Sequence, residues 1–190
     1  MKKKSLALVL ALAMIVVCVV GGTLAWLIAT TPEVKNTFTY GDIDITLAES
    51  EDLDLKMIPG YTITKDPTVT VVKDSEKCYL FVKVAESDNF DKFMTYDMAA
   101  GWTQGDGTNI PSNVYYRVVD ASTADQEFGV LKDNQVTVSG DVTKTMLNGL
   151  TEATQPTLTF TAYACQYMKN NTEHFTAAEA WALAKTLPTT

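Results

Sequence analysis

One histidine, His174, occurs among 190 residues, so a single imidazole is available for acid–base work or for holding a metal. Glu173 precedes it, but no second histidine and no HExxH spacing accompany it. The three cysteines, Cys18, Cys78 and Cys165, are far apart and form no CxxC pair. GxSxG, P-loop and GxGxxG fingerprints are missing from the sequence. Residues 101–107 (GWTQGDG) contain glycines, but no strand leads into them in βα fashion, so they read as a turn-rich hairpin. These residues nominate no catalytic, cofactor-binding or metal-ligating group, and the expectation is a non-enzyme without a cofactor.

Weaker chemical signals each have a plainer counterpart. Asp42 and Asp44, or Glu49, Glu51, Asp52 and Asp54, resemble paired glycosidase carboxylates or calcium ligands. The first pair falls on the outward face of a strand and the second in a loop. No EF-hand spacing is present, so solvated surface is expected. Trp102 and Trp181 are the right residue type for a carbohydrate platform, but a Trp in a small sandwich is more often core or edge packing, and Trp181 most simply plugs its helix onto the sheet. Asn170-Asn171-Thr172 fits a glycosylation sequon. Cys78 and Cys165 would face opposite sides of their strands, which favours two thiols over a disulfide.

The elements that carry these residues read as strands. Residues 42–47 alternate, with Ile43, Ile45 and Leu47 inward. Residues 67–72 place Val69 and Val71 on one face, and residues 77–84 place Cys78, Leu80, Val82 and Val84 on the core face. Further strands are expected at 114–119, 128–131 and 135–139. The longest covers 157–168, with Leu158, Phe160, Ala162 and Ala164 on one face. Pro59-Gly60, Asp66-Pro67, Gly105-Asp106-Gly107, Asp133-Asn134 and Ser139-Gly140 supply turns. Thr176-Ala-Ala-Glu179 is a capping box opening a helix through Ala184 and ended by Pro188. Short helices are also expected at 142–150, capped by Asp141, and at 89–100, where Phe90, Phe93 and Met94 share helical spacing. Many short strands with a few small helices predict an all-β, jelly-roll-like β-sandwich with one helix near the C-terminus.

Residues 1–25 read as a signal peptide: Lys2, Lys3 and Lys4, an apolar run over 6–20, then Gly21-Gly22 and small residues at Thr23 and Ala25. Cleavage between Ala25 and Trp26 is expected. The alternative, an uncleaved anchor, needs the run extended through Ile28 to reach the ~18–20 residues that span a bilayer. The chain then divides into a leader (1–25), an N-terminal arm (26–40) and a sandwich domain (41–190). With 15 Lys+Arg against 23 Asp+Glu and a net charge of −8, a nucleic-acid partner is excluded on electrostatic grounds. The arm carries Trp26, Leu27, Ile28, Val34, Phe38 and Tyr40, an apolar and β-branched set suited to a donated strand, with Pro32 as hinge. Its alternative is to fold back on its own sheet in a monomer.

Several segments carry a resemblance in the right order. The leader ends Gly21-Gly-Thr-Leu-Ala25-Trp26 and is followed by Asn36-Thr-Phe-Thr-Tyr-Gly-Asp-Ile-Asp-Ile-Thr-Leu47. Pro59-Gly60 precedes Lys65-Asp66-Pro67-Thr-Val-Thr-Val71, and Cys78-Tyr-Leu-Phe-Val-Lys-Val84 follows. Ala162-Tyr-Ala-Cys-Gln166 and the closing helix from Thr176 to Trp181 complete the set. Together they resemble the TasA/camelysin family of Gram-positive bacteria over nearly the whole chain. The resemblance implies a SipW-type signal peptidase as processing partner and a jelly-roll-like sandwich. It also implies secretion to the extracellular matrix or cell surface, and a biofilm-matrix fibre built from copies of itself with other matrix proteins. It leaves no membrane attachment after cleavage. Some members are labelled metallopeptidases, but the ligands for that chemistry are lacking here, and Cys165 stands where the family commonly has an aliphatic residue. A surface adhesin remains the other alternative. Mass spectrometry of the secreted protein should find its N-terminus at Trp26; an intact leader as the main membrane-bound product would favour the anchor.

Overall fold

The computed structural model describes residues 42–50 and 56–186, all within one unit of the chain spanning residues 40–190. The Ala25–Trp26 junction and the arm residues Trp26, Leu27, Ile28, Val34, Phe38 and Tyr40 lie outside the described residues, as do Glu51, Asp52, Asp54 and Pro188.

The longest run of β-branched and aromatic residues, CYLFVKVAE, forms β4 (Cys78–Glu86). It pairs antiparallel with β10 (Leu158–Gln166), in register from Leu158 opposite Glu86 to Gln166 opposite Cys78. On its other side β4 pairs with β7 (Val114–Val119), and β6 (Thr103–Gln104) completes the sheet in the order β10-β4-β7-β6. A second sheet has the order β1-β3-β8, from β1 (Ile45–Ala48), β3 (Thr68–Val71) and β8 (Gln126–Gly129). A third has the order β2-β9-β5, from β2 (Thr62–Thr64), β9 (Gln135–Val138) and β5 (Met94–Thr95). All pairings are antiparallel, and the described fold is all-β and sandwich-like.

Strand alternation assigns the cores. Val69 and Val71 of β3 meet Cys78, Leu80, Val82 and Val84 of β4, which closes the second sheet onto the first. The opposite face of β4 carries Tyr79 and Phe81, also buried, and is covered by α2 (Ala177–Ala184). Ala180 and Ala184 let the helix approach the sheet closely, and Trp181 is only 4% exposed. Its ring lies 5.3 Å from Phe81 and meets Tyr163 edge-on. A third cluster joins Ile63, Met94, Val136 and Val138 to Phe90 and Phe93.

The turns follow the expected chemistry. Tyr61 N–H donates to Ile58 O at 3.0 Å with Gly60 at φ +77°, the conformation that a Pro-Gly type II turn requires. Asp133 and Asn134 both take positive φ before β9.

Four expectations need correction. The helix at 89–100 is a single 3₁₀ turn, Phe90–Lys92, after which the chain extends into β5, because pairing of Met94 with Val138 holds it in the third sheet. Phe90, Phe93 and Met94 still share one core, so one turn satisfies their spacing. The helix at 142–150 is shorter, α1 (Lys144–Asn148), and its cap is Thr143 rather than Asp141: Thr143 Oγ1 accepts from Met146 N at 3.2 Å. The strand at 128–131 begins earlier, as β8, and Leu131 makes only an isolated bridge to Met98. Leu47 shares a face with Val69, yet β1 lies at the margin of its sheet and leaves Leu47 37% exposed.

The capping box at Thr176 is formed in full. Thr176 Oγ1 accepts from Glu179 N, and Glu179 Oε2 accepts from Thr176 N at 2.8 Å. The Lys169 ammonium, then the Thr176 backbone and hydroxyl, stabilise the Glu179 carboxylate and lower its pKa to about 2. Thr176→Ala should lower unfolding free energy by ~1 kcal/mol in a urea titration. The Glu179 contribution should be complete above the ordinary value of 4.5 and fade as pH falls towards about 2. A Glu179→Gln chain should lose that part of the acid dependence.

Candidate functional site

The residue types that suggested chemistry are each used locally. His174 is exposed, stacks on Tyr167 with centroids 4.8 Å apart, and places Nδ1 3.0 Å from Phe175 O. Glu173 accepts from Asn170 Nδ2, not from a metal-binding neighbour. Asn170 Oδ1 accepts from Thr172 N and Glu173 N, so the sequon amide is tied into its own exposed turn. Asp42 Oδ1 accepts from Ile43 N, Asp44 is exposed, and Glu49 pairs with Lys65 at 2.8 Å. Among the described residues, no three His, Cys, Asp or Glu side chains gather as a metal-ligand group.

The glycine-bearing segment 101–107 is organised around an internal anion. Asp106 Oδ1 accepts from the backbone N–H groups of Thr108, Asn109 and Ile110 at 2.8–3.0 Å. The Ile110 and Thr108 amides, with the Asn109 side chain, hold the carboxyl far below the usual carboxylate range. The nest that a phosphate would occupy is filled by the loop's own carboxylate. Gly105 is required by close approach: a Cβ there would lie 2.3 Å from Pro111 O.

The two thiols lie on opposite faces. Cys78 is buried between the sheets and Cys165 packs with Tyr79 and Phe81 under α2. Both cysteines are free. Burial pushes the Cys78 thiol up to about 11, with a smaller contribution from nearby Cys165, and burial also raises Cys165. Neither is a ready nucleophile at neutral pH. Trp181 is core, and Trp102 is half-buried with its Nε1–H donating to Gly129 O at 2.9 Å, so the two form no shared platform.

A groove of about 580 Å³, lined mainly by apolar side chains, lies beside β10 and β2. Leu158 and Thr159 of β10 lie on one wall, and Ile63 of β2, Val136 of β9, Met94 of β5 and Phe90 are among the residues opposite. Lys65 sits at its margin, paired with Glu49 and 5.6 Å above the Phe160 ring. Among the described strands, β10 pairs only with β4 and β2 only with β9, so the groove lies between two sheet edges. Such a place offers unpaired backbone groups and apolar pockets together.

Compared with known protein families, curated proteins and solved structures, the chain finds no match.

Sequence reasoning places Leu158 on a core face but does not bring it to Ile63, Met94 and Val136. Those residues are distant in the chain, and only the packing of two sheets joins them. Arg117, the sole arginine, carries no signal of its own within a strand-like run. After unfolding without reductant, Cys78 and Cys165 should both react with a thiol reagent, and in the native protein Cys78 should react far more slowly. A thiol count near zero in denaturant would mean that the two faces are assigned wrongly.

Proposed function

We propose that this chain is a secreted structural subunit of an extracellular fibre or biofilm matrix, assembling by N-terminal strand donation between copies. The observation that carries this reading is the apolar groove beside the open edges of β10 and β2. An extended segment laid there gains backbone hydrogen bonds from an edge strand and buries alternate side chains against Ile63, Val136 and Leu158. Trp26, Leu27 and Ile28 are costly to leave in water, and cleavage after Ala25 would free them to leave one copy for the next. Head-to-tail repetition of that contact does not close on itself, so it builds a filament. The TasA/camelysin resemblance agrees with this assembly and with release to the cell surface or matrix. No observation among the described residues favours the adhesin or the metallopeptidase alternative.

Sedimentation tests the proposal. Protein beginning at Trp26 should form large sedimenting species at high concentration, and protein beginning at Asn36 should remain monomeric. Thr159→Lys, at an exposed position on the groove wall, should weaken assembly with the arm intact. If both lengths stay monomeric, or both polymerise equally well, strand donation is wrong.

A further inference from the structure

Arg117 is the only arginine in a chain with 23 Asp+Glu, yet it pairs with none of the described carboxylates. Every ion pair among the described residues uses a lysine. Arg117 lies on β7 between Tyr115 and Val119, which pack into the core between the first two sheets. Alternation therefore points its side chain towards that core rather than outward. At the margin of the core the guanidinium sits 4.1 Å from the Phe128 ring centroid and 5.4 Å from that of Trp102. The Trp102 indole is itself fixed by its bond to Gly129 O. Gly101, at φ +88°, allows the backbone to pass close by: a Cβ there would come within 3.1 Å of Nη2.

Half-burial of a guanidinium removes hydration that a carboxylate partner ordinarily replaces. Here two aromatic faces offset part of that cost by cation–π attraction. They do not satisfy the N–H donors. Nε is shut off from solvent with no acceptor, whereas neither Nη atom is both buried and unsatisfied. Burial lowers the Arg117 pKa, but a guanidinium stays charged. The result is a half-buried cation stacked on two aromatic rings, whose Nη groups make no hydrogen bond to the described residues and reach solvent.

We propose that Arg117, held between Trp102 and Phe128, is a binding site for a single carboxylate group, supplied by a small organic acid or by an acidic side chain of a second copy of this chain. A planar carboxylate matches the fork and the flat walls. The net charge of −8 disfavours a more highly charged phosphate. This site is separate from the groove, and its failure would leave strand donation standing.

The single arginine makes the test direct, since its guanidinium gives one set of side-chain signals in a proton–nitrogen correlation spectrum. Dilute protein titrated with sodium acetate should show a saturable displacement of the guanidinium and Trp102 indole signals. Sodium chloride at equal ionic strength should not produce it. In the second arm, without acetate, raising the concentration of protein beginning at Asn36, which lacks the donated segment, should produce the same displacement if a second copy supplies the carboxylate. Saturation in either arm supports the site and identifies the source. Arg117→Lys, which keeps the charge but loses the fork, should abolish the saturable Trp102 response. Signals that move in neither arm, or that follow chloride and acetate alike, would show that Arg117 is only an internal plug. Both titrations keep Arg117 in place, so a negative result does not depend on the variant folding.

Discussion

The antiparallel pairing of β4 with β10 is the constraint on which the other packing depends. Because β4 alternates apolar residues on both faces, it must be covered twice. One cover is the β1-β3-β8 sheet, which meets Leu80 and Val82; the other is α2, whose Trp181 seats against Phe81. A sheet with one wet face would have needed only one cover. The C-terminal helix is therefore a structural wall, and its capping box fixes where that wall begins.

The same arrangement accounts for where polar chemistry is and is not found. Carboxylates and amides are spent on caps, turns and lysine pairs at the surface, as at Asp106, Asn170 and Glu179. What remains open is backbone and apolar surface at the ends of sheets, together with one guanidinium at a sheet margin.

Local signals are sufficient wherever one element decides its own form. The alternation in β3, β4 and β10 and the capping box of α2 are all readable, because period and cap chemistry act within a few residues. The opposed faces of Cys78 and Cys165 follow from that alternation. Reading fails where a distant partner decides. Phe90, Phe93 and Met94 look helical, but Met94 is drawn into a strand by Val138, which lies far along the chain. The groove is illegible for the same reason, since its walls come from four separate strands. The unpaired state of Arg117 is equally a property of what does not approach it.

The β4–β10 ladder also imposes an order of events on folding. Its two strands are separated by about half of the described chain, so closing it carries a large entropy cost and depends on sequence that is synthesised late. Until residues 158–166 are available, Cys78-Tyr-Leu-Phe-Val82 can pair with β7 on one edge but lacks β10 on the other and the helix that shields Tyr79 and Phe81. During that interval it is an uncharged, β-prone run able to pair with the same run on a neighbouring molecule. Lys77 and Lys83 bracket the run, and charges in such positions hinder wrong pairing before the right partner arrives.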